Sequence, residues 1–175
     1  MKSLLIPSLA AWLMIAAAPA AEPIESIITG RDGPLTGDGR DGSVIVLGFE
    51  HEILSPRDAA TGQATGRRQH KPVRIVKAID KSSPLLYRAI ATNEILPTVE
   101  FRFRRTTEKG AEVYYKVTLT NASVSAIRQW KPNTRDFSAE RAGDLEEVSF
   151  VYQTITWRFE DGGLEHSDTW MLPAP

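Results

Sequence analysis

Apolar and polar positions alternate most regularly in the middle of the chain. Val99, Phe101 and Phe103 are separated by charged residues, and a second run at 113–119 alternates in the same way after the polar turn at 106–110. A period of two residues is typical of a strand with one buried and one solvated face. The two runs therefore predict an antiparallel hairpin, whose second strand continues or restarts at 124–130.

Further strands are predicted on both sides of this hairpin, at 24–28, 43–53, 71–78 and 146–159. In the strand at 71–78, Val73, Ile75 and Lys77 fall on one face. The run at 146–159 changes parity near Gln153. Either a bulge shifts its register, or both of its faces are covered, which would require a closed barrel or a partner subunit.

One short helix is expected after the strand at 71–78. Ser83 before Pro84 fits an N-cap followed by proline at the first helical position. Apolar residues then recur with helical spacing, and the pattern ends near Thr92–Asn93. Glycine-rich or polar loops are predicted at 30–42, 55–70 and 131–143, and a loose tail from about Asp161. The fold prediction is mainly β: a small antiparallel β-barrel of two packed sheets with one short flanking α-helix.

The N-terminus has the three-part layout of a secretory signal peptide. Met1–Ser3 is basic, 4–18 is almost wholly apolar, and Ala18-Pro19-Ala20 places small residues at a cleavage site. An apolar run of about 15 residues is short for a helix that spans a membrane. We therefore predict a signal peptide at 1–20 and one domain at 21–175, secreted or periplasmic, with no stable membrane insertion after cleavage.

Composition excludes several classes of site. The formal net charge is −1, so the chain lacks the basic surface that nucleic-acid binding usually needs. It has no cysteine, which excludes disulfides, thiolate metal sites and cysteine nucleophiles. We expect no nucleic-acid partner.

No motif in the sequence requires catalysis or a cofactor. Residues 37–42 match G-x-G-x-x-G, but a β-rich run follows them where a dinucleotide site needs a helix. Glu50-His51-Glu52 alternate across a strand, so at most His51 and one other residue could share a site. His70 is expected to make a structural hydrogen bond. No nucleophile motif is present. We therefore predict no catalytic, cofactor-binding or metal-binding residues, and a protein that is not an enzyme.

Several short strings follow one another in an order known from one family. They are V-L-G-F-E-H at 46–51, G-R-R-Q-H-K-P at 66–72, I-V-K-A-I-D-K-S-S-P-L-L at 75–86, I-L-P-T-V at 95–99, Y-Y-K-V-T-L-T-N-A at 114–122, and E-E-V-S-F-V-Y at 146–152 with I-T-W at 155–157. Together they resemble the Hcp proteins, the tube-forming proteins of bacterial type VI secretion. The positions that carry the resemblance are Phe49, His51, Lys77, Asp80, Lys81, Ser83, Pro84 and Trp157.

The resemblance implies a structural or transport protein that forms hexameric rings, which stack into a tube and carry effectors. Its partners would be further copies of the chain, the secretion apparatus and effector proteins. The loop at 56–70 would contact neighbouring subunits through Pro56, Arg57, Arg67, Arg68 and His70. The predicted signal peptide departs from the family pattern and keeps a second hypothesis open, an exported Hcp-like domain repurposed as a periplasmic or extracellular protein-binding module.

Overall fold

The computed structural model describes residues 22–108, 110–131, 133 and 143–170. Twelve strands and one α-helix follow one another along this part of the chain. They are β1 (Ile24–Gly30), β2 (Gly33–Pro34), β3 (Val44–Val46), β4 (Gly48–Glu50), β5 (Ile53–Leu54), β6 (Gln69–His70), β7 (Val73–Ala78), α1 (Ser82–Ala91), β8 (Leu96–Thr107), β9 (Gly110–Trp130), β10 (Leu145–Val151), β11 (Thr154–Phe159) and β12 (Leu164–Thr169). Short 3-10 turns lie at Arg40–Gly42 and Asp161–Gly163.

The strands pair around a barrel-like path. β1 pairs with β8, β8 with β9, β9 with β10, β10 with β7, and β7 with β4, all antiparallel. The path returns to its start because β3, which precedes β4 with only Leu47 between them, pairs with β1. The Leu47 N–H donates to the Val76 carbonyl (2.8 Å) at the crossing point. The predicted mainly β fold with one helix is confirmed.

The long hairpin of β8 and β9 is confirmed as predicted, and β9 runs without interruption to Trp130. The alternating residues Val99 and Phe101 face the core. Phe49 from β4 contacts both Phe101 and Phe103 edge to face, with ring centroids 5.1 and 5.3 Å apart. This aromatic contact packs β4 against β8 across the interior.

In the run at 146–159, the apolar positions change from even to odd numbers where one strand ends and the next begins. β10 pairs with the second half of β9, and β11 pairs with its first half. Tyr152 and Gln153 lie between them, so that the buried positions shift from even to odd numbers. The predicted bulge near Gln153 is not found: Val151 pairs with Ser123 and Thr154 with Thr120, so the register against β9 is the same on both sides of the break, and the irregularity in the ladder lies between Ser149 and Phe150.

Two expectations about the strands need correction. The predicted strand at 43–53 is divided into β3, β4 and β5, because its parts pair with three different strands. The tail from Asp161 is not loose, since β12 pairs with β11 along its whole length. Most of the loop predicted at 131–143, and the signal peptide predicted at 1–20, lie outside the described residues.

The helix cap differs from the predicted one. Asp80 Oδ1 accepts the Ser82 N–H (2.9 Å), while Ser83 Oγ accepts the Asp80 N–H (3.0 Å). These reciprocal bonds form a capping box in which Asp80 is the side-chain cap and Ser83 is the residue that bonds back. Ser83 is therefore inside α1, and Pro84 lies in its first turn, where a missing N–H costs little.

Candidate functional site

The most conspicuous surface feature is the segment 55–69, which we call the arm. Its root is a two-stranded ribbon in which Ile53 pairs with His70 and Leu54 with Gln69. A bridge between Arg57 and Ala64 continues the pairing outward. Nearly every residue of the arm is exposed, so it projects from the barrel.

The tip of the arm is internally hydrogen-bonded. Asp58 Oδ1 accepts the N–H groups of Ala60 (3.0 Å) and Thr61 (2.8 Å) and the Thr61 hydroxyl (2.9 Å). These bonds, with the Thr61 N–H first among them, lower the pKa of Asp58. Gly62 follows at φ +70°, a conformation that favours glycine. The conformation of the arm tip is thus held by hydrogen bonds within the arm itself.

A hydrogen-bonded chain of side chains fixes the arm root, and we call it the arm latch: His51, Tyr152, His70, Asp168 and Arg68. The Tyr152 hydroxyl lies 2.7 Å from His51 Nε2 and 2.9 Å from His70 Nδ1. His70 Nε2 lies 3.1 Å from Asp168 Oδ2, and the Arg68 guanidinium pairs with the same carboxylate. The latch joins the end of β4, the arm root, the β10–β11 corner and β12.

The donor and acceptor of each hydrogen bond in the latch can be assigned by starting from the Asp168 carboxylate at one end of the series. An ionised carboxylate only accepts, so His70 Nε2 donates to Asp168, and in the neutral form of His70 the Nδ1 atom accepts from the Tyr152 hydroxyl. The Tyr152 oxygen then accepts from His51 Nε2. We assign these tautomers from the network. With His70 neutral, this order satisfies every internal group of the latch, and the resulting chain of bonds couples the arm root to β12.

The surroundings of the latch shift the pKa values of its members. Burial, and then the neighbouring charge of His70, lowers the pKa of His51. Burial, and then the charge of Asp168, raises the pKa of Tyr152. The bond from Arg68 lowers the pKa of Asp168 despite the opposing effect of burial. The latch is therefore built around a neutral Tyr152 and an ionised Asp168.

Aromatic rings enclose the latch. Trp170 stacks on His70 at 5.8 Å and meets Tyr152 edge to face at 5.4 Å. Trp157 lies 6.0 Å from His51 and stacks on His166 on its other side. These rings pack against His51, His70 and Tyr152, and the lower local dielectric strengthens the hydrogen bonds between these three side chains.

A second polar group, which we call the anchor cluster, is buried beneath α1: Lys77, Asp80, Ser83 and Glu146. Lys77 is fully buried, and its Nζ lies 2.7 Å from Glu146 Oε1 and 2.8 Å from Asp80 Oδ1. Burial opposes ionisation of Asp80, yet the bonds from Lys77 and Ser82 lower its pKa. The cluster ties the helix start to β7 and β10.

The structure places the sequence-predicted residues in three groups. Pro56, Arg57 and Arg67 lie on the arm, whereas Arg68 and the buried His70 belong to the latch. The motif residues Lys77, Asp80 and Ser83 meet in the anchor cluster, and Lys81 pairs with Asp38 at the surface (3.0 Å). Phe49, His51 and Trp157 line the barrel and the latch.

Sequence reasoning missed three residues of these clusters: Tyr152, Asp168 and Glu146. Glu146 shares the buried parity of Val148 and Phe150, and this signal pointed to a buried acid opposite Lys77. Asp168 lies on β12, where the polar sequence predicts a loose tail. No local pattern distinguished Tyr152 from an ordinary core aromatic residue.

The motif at 37–42 forms a tight turn. Gly37 N–H donates to the Gly42 carbonyl (2.8 Å), and Gly39 N–H donates to the Ser43 carbonyl (2.7 Å). A Cβ at Gly37 would lie 2.8 Å from the Ser43 oxygen, so the glycine allows a close backbone approach. The turn leads into β3 rather than into a helix, unlike a dinucleotide site.

The described residues provide neither of two other kinds of feature, a metal centre or a membrane-spanning helix. Across 22–108, 110–131, 133 and 143–170, no group of three or more His, Cys, Asp or Glu side chains could hold a metal ion. Over the same ranges, no helix has the length and apolar character needed to cross a membrane.

Comparison with known proteins gives consistent matches. The family model described as "Type VI secretion system effector, Hcp" matches residues 25–159. The "Major exported protein" of Pseudomonas aeruginosa is 42% identical over 138 residues, which cover 78% of this chain and 80% of that protein. The Hcp1 protein of E. coli EAEC 042 superposes with a TM-score of 0.76 at 32% identity, covering 86% of this chain and all of that chain. The secreted protein Hcp3 of P. aeruginosa superposes with a TM-score of 0.70 at 33% identity, covering 87% of this chain and all of the other.

Proposed function

The chain belongs to the Hcp family of type VI secretion proteins, and from that premise we propose that six copies form a ring and that rings stack into a tube which carries effectors. Membership makes it a structural tube protein of type VI secretion and not an enzyme. The observation that carries the proposal is the family match across residues 25–159, which span the barrel from β1 to β11.

Exposed apolar side chains support a contact between subunits. Leu47 and Ile95 are 58% and 60% exposed, and Ile79 is 45% exposed. A groove of about 440 Å³ lies beside Leu47, and its lining is largely apolar: Pro23, Ile24, Val46, Gly48, Phe49 and Phe103, with Glu22 at its edge. Exposed apolar surface of this kind marks interaction sites in soluble proteins.

The arm supports a contact that extends beyond one subunit. Pro56, Arg57, Arg67 and Arg68 lie on a projecting segment that is shaped by its own hydrogen bonds and held at its root by the latch. A preformed segment loses little conformational entropy on binding, so it suits a contact with a neighbouring copy. His70 contributes from inside, by holding the root.

The N-terminal segment bears on the route by which the protein is exported. We propose that residues 1–20 are a cleaved signal peptide, on the basis of their sequence pattern alone. The alternative of an exported, repurposed binding module is not favoured, because the similarity to Hcp proteins spans the whole barrel.

A secretion assay tests the proposal. The protein would be followed in culture medium of a strain with an intact type VI apparatus and of a matched strain in which the apparatus is inactivated. We expect release that depends on the apparatus. Equal release from both strains would contradict the type VI role, and the N-terminal residue of the released protein would show whether cleavage occurred after Ala20.

A further inference from the structure

A small polar notch opens at the root of the arm. Its lining residues are Arg67, Arg68, His70, Thr169 and Trp170, and its volume is about 70 Å³. A water molecule occupies about 30 Å³ in the liquid, so the notch has room for a group of the size of a carboxylate.

Within the described part of the chain, the notch carries one positive charge that has no ion pair. Arg68 is neutralised by Asp168, which is already engaged by the latch. Arg67 has no ion pair with any residue that the structure describes. Arginine binds carboxylates through paired, charge-assisted hydrogen bonds, so the notch is suited to an anionic oxygen ligand.

The end of the barrel opposite the notch offers such a ligand. Thr169, in the notch, pairs with Thr154, which pairs with Thr120. From Thr120 the β9 strand runs back about ten residues, roughly 33 Å, to its start at Gly110. The tip of the β8–β9 hairpin therefore lies far from the notch of the same chain.

Glu108 lies at that hairpin tip. β11 stops pairing with β9 at Tyr115, and β1 stops pairing with β8 at Arg102, so the last part of the hairpin projects beyond both neighbours. Glu108 is exposed and has no ion pair within the described part of the chain. Its carboxylate is therefore accessible to another molecule.

We propose that the notch binds the Glu108 carboxylate of a second copy of the chain placed head to tail. Donor and acceptor lie at opposite ends of one subunit, so the contact is heterologous, and if the copies are related by translation along the stacking direction it repeats without closing. Arg67 supplies the unpaired charge, and the latch holds Arg68 and His70 in position around the ligand. The inference rests on the proposed assembly and names a contact between successive rings.

Charge reversal in the full-length protein tests the contact. Arg67→Glu and Glu108→Lys should each weaken ring–ring association at least about tenfold, because each places like charges against each other. The double variant restores opposite charges and should return to within about threefold of the unaltered protein. Lys71→Glu is the matched control, since Lys71 is exposed beside the notch but not in its lining.

Sedimentation velocity over a concentration series would measure association, and far-UV circular dichroism would verify folding of each variant. Stacked rings that both single reversals weaken and the double variant restores would support the contact. Stacked rings insensitive to both reversals would overturn this inference while leaving the proposed function intact. An unaltered protein that forms single rings only would also overturn it, and one that stays monomeric would overturn both proposals.

Discussion

Replacing Lys77 by methionine perturbs the buried charges of the anchor cluster. The Lys77 ammonium donates to Glu146 Oε1 (2.7 Å), Asp80 Oδ1 (2.8 Å) and the Ala78 carbonyl (2.8 Å), and lies 3.2 Å from Ser83 Oγ. Methionine fills nearly the same volume as the aliphatic stem, so the change removes a charge without opening a large cavity.

The size of the stability loss depends on the hydrogen bonds that Glu146 keeps when the Lys77 ammonium is removed. The Glu146 side chain is 1% exposed and would keep only the bonds from the Ser83 hydroxyl (2.8 Å) and Gln129 Nε2 (2.7 Å). Removing one partner of a buried ion pair leaves an uncompensated charge and costs about 3–5 kcal/mol. We expect Lys77→Met to lower the free energy of unfolding by about that amount.

A second substitution separates the charge from the packing. Glu146→Gln added to Lys77→Met removes the unpaired carboxylate and keeps an acceptor for Ser83. We expect the double variant to recover about 1–3 kcal/mol relative to Lys77→Met alone, since the buried charge accounts for most of the loss. Lys71→Met, at an exposed position, should change stability by less than about 0.5 kcal/mol.

Urea unfolding followed by tryptophan fluorescence measures these differences, since the chain contains four tryptophans. Protein concentration must be the same for all variants because association shifts apparent stability. A loss below about 1 kcal/mol for Lys77→Met, with an unchanged dependence on urea, would refute the reasoning. A double variant less stable than Lys77→Met would refute the assignment of the loss to unpaired charge.

Three further outcomes are expected. Burial lowers the pKa of His51, so below about pH 6.5 the unfolded state binds more protons than the folded state. The free energy of unfolding should therefore fall as the pH is lowered from 7.5 to 5.5. A His51→Gln variant whose free energy of unfolding, measured in urea, falls as steeply over this range would contradict this. Tyr152→Phe should cost about 1–3 kcal/mol and speed proteolysis of the arm, because the buried His70 and the half-buried His51 each lose the hydroxyl that bonds them. Unchanged cleavage rates would argue against the latch. Gly37→Ala should destabilise the protein, because the new Cβ would lie 2.8 Å from a backbone oxygen. Gly48→Ala should stabilise it by about 0.4–1 kcal/mol, because the nearest atom to the new Cβ lies at 3.4 Å. Melting temperatures that move in the same direction for the two variants would contradict this pair of predictions.

The strand framework was predictable because burial follows local periodicity. The β8–β9 hairpin and the buried face of β7, including Lys77, follow from alternation alone. β12 was not predictable in this way. Its sequence at 164–169 is polar and mostly exposed, and its strand conformation comes from pairing with β11 rather than from burial.

The sequence predicted individual members of the latch and the anchor cluster but not their partners, because the partners are distant in sequence. His70 was expected to make a structural hydrogen bond, and it does, but its partners Tyr152 and Asp168 lie 82 and 98 residues away. Lys77 and Glu146 are 69 residues apart, and only the strand order brings them together. Local pattern gives the parity of each residue, whereas the partner depends on topology.

The central claim is that this chain assembles as an Hcp tube protein. Negative-stain electron microscopy of the purified protein, with a solution mass determination on the same sample, tests it most directly. The account predicts rings with six times the mass of one chain, and stacks of such rings at higher concentration. A uniform monomer at every concentration would contradict it.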